Sequence, residues 1–241
     1  MSVKKYIPNL ITSLGLASGV LGVVFALEGK IWLAFPLMLA AAVFDFCDGL
    51  AARALGVASP TGRELDSLSD LVTFGVLPAV MLCQMMRVST FGNRFWCFVP
   101  LIIAAASALR LAKFNLDERQ HHSFLGLPTP ACAMICGSLC YFIAHDSQTF
   151  LATWASGYVF IPVLSVILSI LLVSEVPMFA MKFGREDSRL TWRKRIAFAF
   201  NVLLVVVIVV SLRLNWSLAV LLSFLVYVLM NVLLAAWQLN S

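Results

Sequence analysis

The chain has 241 residues, of which 61% are hydrophobic and only 12% are charged; its mean hydropathy is +0.96 and its formal net charge is +5. Globular chains carry roughly 25% charged residues, about twice this share. A soluble fold of this length could not bury so much apolar surface, which excludes a soluble enzyme, a secreted disulfide scaffold and a disordered chain.

Apolar runs of about 20 residues, the length that a membrane-spanning helix needs, recur along the whole chain. Polar, Pro-containing or Gly-containing breaks separate them. The six Cys residues lie in or beside these runs without metal-site or disulfide spacing, and we interpret them as packing residues. The sequence predicts an all-α polytopic membrane protein with about eight transmembrane helices, at about 9–27, 31–53, 66–86, 95–113, 126–144, 155–177, 196–212 and 215–237.

The distribution of basic residues predicts the orientation of these spans. If successive spans cross the membrane in alternate directions, 13 of the 17 Lys and Arg residues lie on the same side of the membrane as the N-terminus. Because cytoplasmic segments are enriched in Lys and Arg, we expect a multi-pass cell-membrane protein with both termini in the cytoplasm. We interpret residues 1–180 as the transmembrane core, 181–195 as a basic cytoplasmic loop against anionic headgroups, and 196–241 as two additional helices.

Four of the seven Asp residues fall within one short segment. Asp45 and Asp48 are spaced i, i+3 near the end of the second span, and Asp66 and Asp70 are spaced i, i+4 at the start of the third. Each pair shares one helix face, and the short connecting loop allows the two faces to meet. Clustered carboxylates at a membrane are unfavourable without counter-ions, and an all-oxygen ligand set suits Mg²⁺, Mn²⁺ or Ca²⁺ rather than zinc. One or two divalent cations are therefore predicted here.

Neighbouring residues are typical of a phosphate-binding cleft. Gly49 and Gly62 lie on the same helix faces as the carboxylates and leave space beside them. Ser59-Pro60 is typical of a helix N-cap and first turn, with a capping box at Thr61–Glu64 as the alternative, and either start directs free amides into the cleft. Arg53 adds a forked cation that suits a phosphate group.

The acidic segment resembles the signature of the CDP-alcohol phosphotransferases. It reads Asp45-x-x-Asp48-Gly49-x-x-Ala52-Arg53, eight residues, then Gly62-x-x-x-Asp66-x-x-x-Asp70. The surrounding spans fit that family's six-helix core, and spans seven and eight lie outside it. Three further segments are most similar to the membrane-type phosphatidylserine synthases: Ile7-Pro8-Asn9-Leu-Ile-Thr12, Ala108-Leu-Arg110-Leu-Ala-Lys113-Phe-Asn115 and Phe124-x-Gly126-Leu127-Pro128-x-Pro130.

The resemblance implies metal-dependent transfer of a phosphatidyl group from CDP-diacylglycerol to L-serine, with release of CMP at the cytoplasmic face. Asp45, Asp48, Asp66 and Asp70 would hold two divalent cations, Mg²⁺ or Mn²⁺ with Ca²⁺ as an alternative occupant. Asp70 would also be the catalytic base that takes the serine hydroxyl proton. The positions implied to contact CDP-diacylglycerol are Asn9, Thr12, Asp48, Gly49, Arg53, Ser59, Gly62 and Asp66.

The implied partners are membrane lipids and a second copy of the chain in a homodimer, with no nucleic acid. The carboxylate of serine needs a cationic partner, for which Arg110 and Lys113 at the end of the fourth span are the candidates. Contact with lipid headgroups is the alternative role for both residues. Arg110 is equally suited to a phosphate of the donor.

Two other functions are open at this point. The acceptor could be glycerol 3-phosphate or an inositol phosphate, although a phosphorylated acceptor calls for a denser basic cluster than Arg110 and Lys113 provide. The chain could also be a cation-coupled or proton-coupled transporter. A transporter places its carboxylates near the membrane midplane, whereas these gather at one end of two spans.

Overall fold

The structure is a computed structural model that describes residues 6–57, 59–89, 95–116, 124–148, 150–155, 159–178 and 189–239. Leu71–Val76 is a π-helical stretch within the third span, and a 3₁₀-helix covers Trp96–Leu101 at the start of the fourth. Within the described ranges the α-helices are α1 Ile7–Leu27, α2 Ile31–Leu55, α3 Pro60–Asp70, α4 Leu77–Ser89, α5 Ile102–Leu116, α6 Thr129–His145, α7 Phe150–Ala155, α8 Phe160–Val173, α9 Arg189–Ser211 and α10 Trp216–Leu239.

Apolar helices occupy all eight predicted positions. Among the described residues, five stretches are long and apolar enough to cross a membrane: Ile7–Leu27, Ile31–Leu55, Pro60–Val88, Trp96–Leu116 and Trp216–Ala235. Three shorter apolar helices, Thr129–His145, Phe160–Val173 and Phe198–Ser211, accompany them. Helices satisfy their own backbone hydrogen bonds, which a bilayer requires, and large apolar side chains remain exposed on their outer faces. The prediction of an all-α polytopic membrane protein is confirmed.

The third and sixth spans begin at positions that hydropathy alone does not predict. Hydropathy places the start of the third at residue 66, but its helix begins at Pro60, as the Ser59-Pro60 pattern predicts. The sixth was expected over 155–177, but α8 covers only Phe160–Val173 and the separate short helix α7 precedes it. Hydropathy marks the apolar part of a helix and misses polar turns and chain reversals at its ends.

The basic segment 181–195 is only partly a loop. Residues 181–188 lie outside the described residues, as do Lys4, Lys5 and Arg119, which carry part of the topology argument. From Arg189 onwards the chain is already in α9, seven residues before the predicted start at 196. Arg and Lys are good helix formers, so a basic sequence can continue a helix that hydropathy alone would end.

Helix α1 packs closely against α2 and against the helix that begins with α3, and small residues make this approach possible. A Cβ added at Gly15 would lie 3.2 Å from the Cβ of Phe44. A Cβ added at Gly19 would lie 3.2 Å from the backbone Cα of Thr73, and would overlap the Thr73 hydroxyl. The two glycines therefore hold α1 beside the helices that carry the acidic pairs.

We expect Gly19→Ala to destabilise the protein by about 1–3 kcal/mol, since inserting a methyl into a packed interface forces the neighbouring backbone to shift. Thermal unfolding of the purified protein in detergent measures the effect. Leu21→Ala removes an exposed side chain from the same helix and is the matched control, with a much smaller change expected. Equal melting temperatures for Gly19→Ala and wild type would contradict the close packing described here.

A short antiparallel strand pair links the segment before α6 to the segment after α8. Strand β1 (Phe124–Leu125) pairs with β2 (Pro177–Met178), and Phe124 is opposite Met178. The pairing continues beyond the strands, because the Gly126 amide donates to the Val176 carbonyl at 2.9 Å. This link fixes where α6 begins, and therefore the position of Thr129 in its first turn.

Candidate metal and phosphate site

The two acidic pairs converge where α2 ends and α3 begins. Asp45 and Asp48 from α2 and Asp66 from α3 each offer a carboxylate oxygen, and these oxygens lie within 4.8 Å of one another. Asp48 is buried, and Asp45 and Asp66 are half-buried. The two predicted helix faces thus meet. Asp70 is not part of this close group and lies one turn further along α3.

The connection between α2 and α3 creates this convergence. Gly56 ends α2 in a left-handed conformation, with φ at 62°, which a residue with a side chain rarely adopts. The chain then turns at once into α3, where the Ser59 hydroxyl oxygen accepts a hydrogen bond from the Gly62 amide at 3.1 Å. Of the two predicted N-caps, Ser59 is the one observed, and its hydroxyl already has a partner.

The start of α1 forms one side of the site. The Thr12 hydroxyl donates to Asp48 Oδ2 at 2.6 Å, and it also lies 3.0 Å from the Pro8 carbonyl oxygen. Asn9 lies close by, since a Cβ added at Gly62 would be 3.1 Å from Asn9 Oδ1. Asn9 and Thr12 therefore lie at the same cleft as the carboxylates, and Thr12 orients one of them.

Gly49 and Arg53 occupy the same face of α2. A Cβ added at Gly49 would lie 3.6 Å from Arg53 Nη1, so the guanidinium lies over the glycine. Arg53 is exposed. A cation beside a glycine, next to the carboxylates, is the arrangement that the phosphate-binding prediction requires.

A buried arginine on α5, Arg110, belongs to the electrostatic surroundings of Asp70. Asp70 interacts electrostatically with Asp45, Asp66 and Arg110. Arg110 is 7% exposed, and its Nη1 donates to the Thr129 hydroxyl of α6 at 3.2 Å. Its Nε has no hydrogen-bond partner among the described residues. A buried guanidinium with an unused donor is well suited to an anionic ligand.

Lys113, the other candidate for the serine carboxylate, is exposed on α5. Asn115, two residues further along, donates to the Ser67 hydroxyl of α3 at 3.0 Å. This hydrogen bond ties the end of α5 to the helix that carries Asp66 and Asp70. Arg110 rather than Lys113 is therefore the residue enclosed by the site.

The site residues match the chemistry of a divalent cation. Three carboxylates from two helices repel one another when ionised, and a hard cation compensates them. Their donor atoms are all oxygens, the ligand type of Mg²⁺, Mn²⁺ and Ca²⁺. The positive end of the α3 helix dipole is suited to an anion such as a diphosphate, although the Gly62 and Arg63 amides already donate to Ser59. The arrangement supports the use of divalent cations.

Sequence reasoning missed Thr129, which accepts a hydrogen bond from Arg110. Thr129 is the unspecified position between Pro128 and Pro130 in the third of the similar segments. A threonine at that position gives no sign in the sequence of a contact with α5.

Comparison with known proteins shows similarity along most of the chain. The sequence profile described as CDP-alcohol phosphatidyltransferase matches residues 5–173. The CDP-diacylglycerol–serine O-phosphatidyltransferases of Mycobacterium leprae and Mycobacterium tuberculosis are 36% and 38% identical over 73% of this chain. The matched region spans 59% and 62% of those two relatives. The enzyme of the same name from Bacillus subtilis is 36% identical over 54% of this chain and 72% of its own length.

Proposed function

Because the chain belongs to the CDP-alcohol phosphatidyltransferase family, we propose that it transfers the phosphatidyl group of CDP-diacylglycerol to L-serine and releases CMP. The observation that carries the proposal is the convergence of Asp45, Asp48 and Asp66 within 4.8 Å. The names of the mycobacterial and Bacillus relatives support serine as the acceptor. The product would be phosphatidylserine, a membrane phospholipid.

The three convergent carboxylates would hold the donor through divalent cations, Mg²⁺ or Mn²⁺. Bound cations supply charge compensation at the attacked phosphorus and at the CMP leaving group. Asp48 is fixed for this task by the Thr12 hydroxyl. Arg53 and the positive end of α3 would orient the diphosphate, and the cytidine part would lie beside Gly49 and Gly62.

Asp70 would act as the general base. The serine hydroxyl is a weak nucleophile near neutral pH, so a carboxylate within reach of its proton accelerates attack. The serine oxygen forms a bond to the phosphatidyl phosphorus, the bond from that phosphorus to CMP breaks, and Asp70 accepts the proton. Arg110, which interacts electrostatically with Asp70, would hold the serine carboxylate. Lys113 would be a peripheral cation.

The location of the site suits substrates of opposite solubility. The carboxylates lie towards the end of α2 and in α3, which a short loop connects. They therefore gather at one end of the two apolar spans. CDP-diacylglycerol would enter from the bilayer and serine from water. By the distribution of Lys and Arg, this end faces the cytoplasm. A homodimer of this chain stays a prediction.

The release of CMP by the purified protein tests the function. With CDP-diacylglycerol and Mg²⁺ or Mn²⁺, we expect serine to stimulate CMP release far more than glycerol 3-phosphate or an inositol phosphate does. Chelation of the cations should stop the reaction. A preference for a phosphorylated acceptor would replace serine in the proposal. No CMP release with any acceptor would overturn transferase activity and favour the transporter reading.

A further inference from the structure

Two contacts fix α5 against the helix of the third span. At the first, the Asn115 side-chain amide donates to the Ser67 hydroxyl at 3.0 Å. At the second, a Cβ added at Gly75 would lie 3.0 Å from the Cβ of Ser107. The later residue of α5 contacts the earlier residue of the third span, so the two helices run in opposite directions.

Asp70 and Arg110 both lie between these two contacts. Asp70 comes three residues after Ser67, and Arg110 comes three residues after Ser107. The contacts are eight residues apart on each helix, about 12 Å, so the two residues lie at nearly the same level. Arg110 is therefore placed beside the part of the third span that carries the proposed general base. An acceptor whose hydroxyl reaches Asp70 would bind at this level.

The Arg110 guanidinium is hydrogen-bonded to α6. Its Nη1 donates to the Thr129 hydroxyl oxygen at 3.2 Å, and the two residues are 7% and 0% exposed. The centre of the Phe114 ring lies 5.9 Å from the central carbon of the guanidinium. The Nε of Arg110 has no hydrogen-bond partner among the described residues. Because a buried guanidinium is costly unless its donors are used, Nε is suited to an anionic ligand.

Thr129 lies in a rigid part of the backbone. It is the first residue of α6 and has a proline on each side, whose ring fixes φ. Just before it, the Leu127 amide donates to the Leu171 carbonyl of α8 at 2.9 Å. A Cβ added at Gly126 would lie 2.6 Å from the Ser174 carbonyl oxygen, so the chain passes directly against the end of α8. The β-branched side chain is itself stiff, which gives the Thr129 hydroxyl a fixed position.

We propose that Thr129 is a positioning residue for the acceptor: its hydroxyl accepts from Nη1 and thereby orients the Arg110 guanidinium with Nε directed to the acceptor's carboxylate. The inference rests on the proposed function, in which the acceptor is serine. Thr129 acts through Arg110 and takes no part in proton transfer. Without the hydroxyl, the guanidinium keeps its charge but can turn, so the acceptor's carboxylate is bound less well.

The test is Thr129→Val in the full-length protein, which keeps the branched shape and replaces only the hydroxyl with a methyl group. CMP release is measured against serine and, separately, against CDP-diacylglycerol. We expect the KM for serine to rise about three- to tenfold, as the loss of one hydrogen bond in a binding site predicts. The KM for CDP-diacylglycerol and kcat should stay within about twofold, since the donor and the general base are bound elsewhere.

Two further variants separate the hydroxyl from the packing of α6. Thr129→Ser keeps the hydroxyl and loses the methyl group, and its serine KM should stay within about twofold of the wild-type value. Ser138→Ala is the matched control, because Ser138 is a fully buried residue of the same helix whose hydroxyl donates to the Met134 carbonyl. It should leave both KM values unchanged. A disturbance of α6 would instead raise the KM for both substrates.

Action through Arg110 is tested with Arg110→Lys, because an ammonium group has no fork for Thr129 to orient. In that background, Thr129→Val should add no further rise in the serine KM. Four results would each overturn the inference: an unchanged serine KM in Thr129→Val, equal rises in both KM values, no recovery in Thr129→Ser, or additive effects in the double variant.

The outcome separates this inference from the proposed function. If the wild type responds to a different anionic acceptor and not to serine, the proposed function is wrong. The same comparison of KM values with that acceptor then decides the role of Thr129. A rise in Thr129→Val that is absent in Thr129→Ser would support the positioning role, and no rise would overturn it.

Discussion

Asp70→Asn should lower the turnover of serine by about 10²–10⁴-fold while the protein still binds CDP-diacylglycerol. The substitution preserves shape but removes the carboxylate proposed to accept the serine proton, and general-base catalysis contributes about that factor. Asp70 lies outside the close group of three carboxylates, so the proposed site for cations and donor should stay in place. CMP release at saturating substrates measures turnover, and equilibrium binding of labelled CDP-diacylglycerol measures the donor.

Glu64→Gln is the matched control for this experiment. Glu64 is an exposed acid on the same helix, and its replacement changes the charge by the same amount. The variant should keep both turnover and donor binding. Near-normal turnover in Asp70→Asn would show that another group takes the proton, and equal losses in both variants would indicate an effect of net charge.

Asp66→Asn is expected to weaken divalent cation binding and CDP-diacylglycerol binding together. Asp66 is the member of the close group that α3 contributes, and the two ligands left, Asp45 and Asp48, both come from α2. Removing a residue that hydrogen-bonds to a metal ligand already lowers metal affinity about 10–100-fold. Removing the ligand itself should lower metal affinity at least as much. A titration with Mn²⁺, monitored by electron paramagnetic resonance, measures the change in cation affinity.

The control for charge is Asp146→Asn, at the far end of α6, where the carboxylate accepts from the Asn215 side chain at 2.9 Å. It should leave Mn²⁺ affinity unchanged. Donor binding should fall in Asp66→Asn at every Mn²⁺ concentration below saturation. Unchanged donor affinity with weakened Mn²⁺ binding would separate the two sites and contradict a diphosphate held through the cations.

Much of the fold was predictable because a bilayer limits the options. Backbone groups in lipid must be paired within a helix, so an apolar run of sufficient length is read directly as a span. The start of α3 at Pro60 was also visible, as Ser59 before Pro60 has the residue types of an N-cap. The π-helical stretch Leu71–Val76 was not visible, since apolar residues in it follow no period that distinguishes it from an α-helix.

The acidic part of the site was predictable for a different reason. Asp45, Asp48 and Asp66 lie on two consecutive helices joined by a short loop, so helical spacing alone brings their faces together. The partners of these residues depend on contacts between helices distant in sequence. Thr12 reaches Asp48 across 36 residues, and Asn115 of α5 reaches Ser67 of α3 across 48. Only the packed structure reveals such pairs.

A diffraction experiment on crystals soaked in Mn²⁺ tests the metal site most directly. We expect an anomalous difference peak in contact with the carboxylates of Asp45, Asp48 and Asp66 in the wild-type protein, and a strongly reduced peak in Asp66→Asn. Wild-type density in which these three carboxylates turn toward separate partners, with no Mn²⁺ between them at a concentration that supports CMP release, would contradict the site and the chemistry proposed for it.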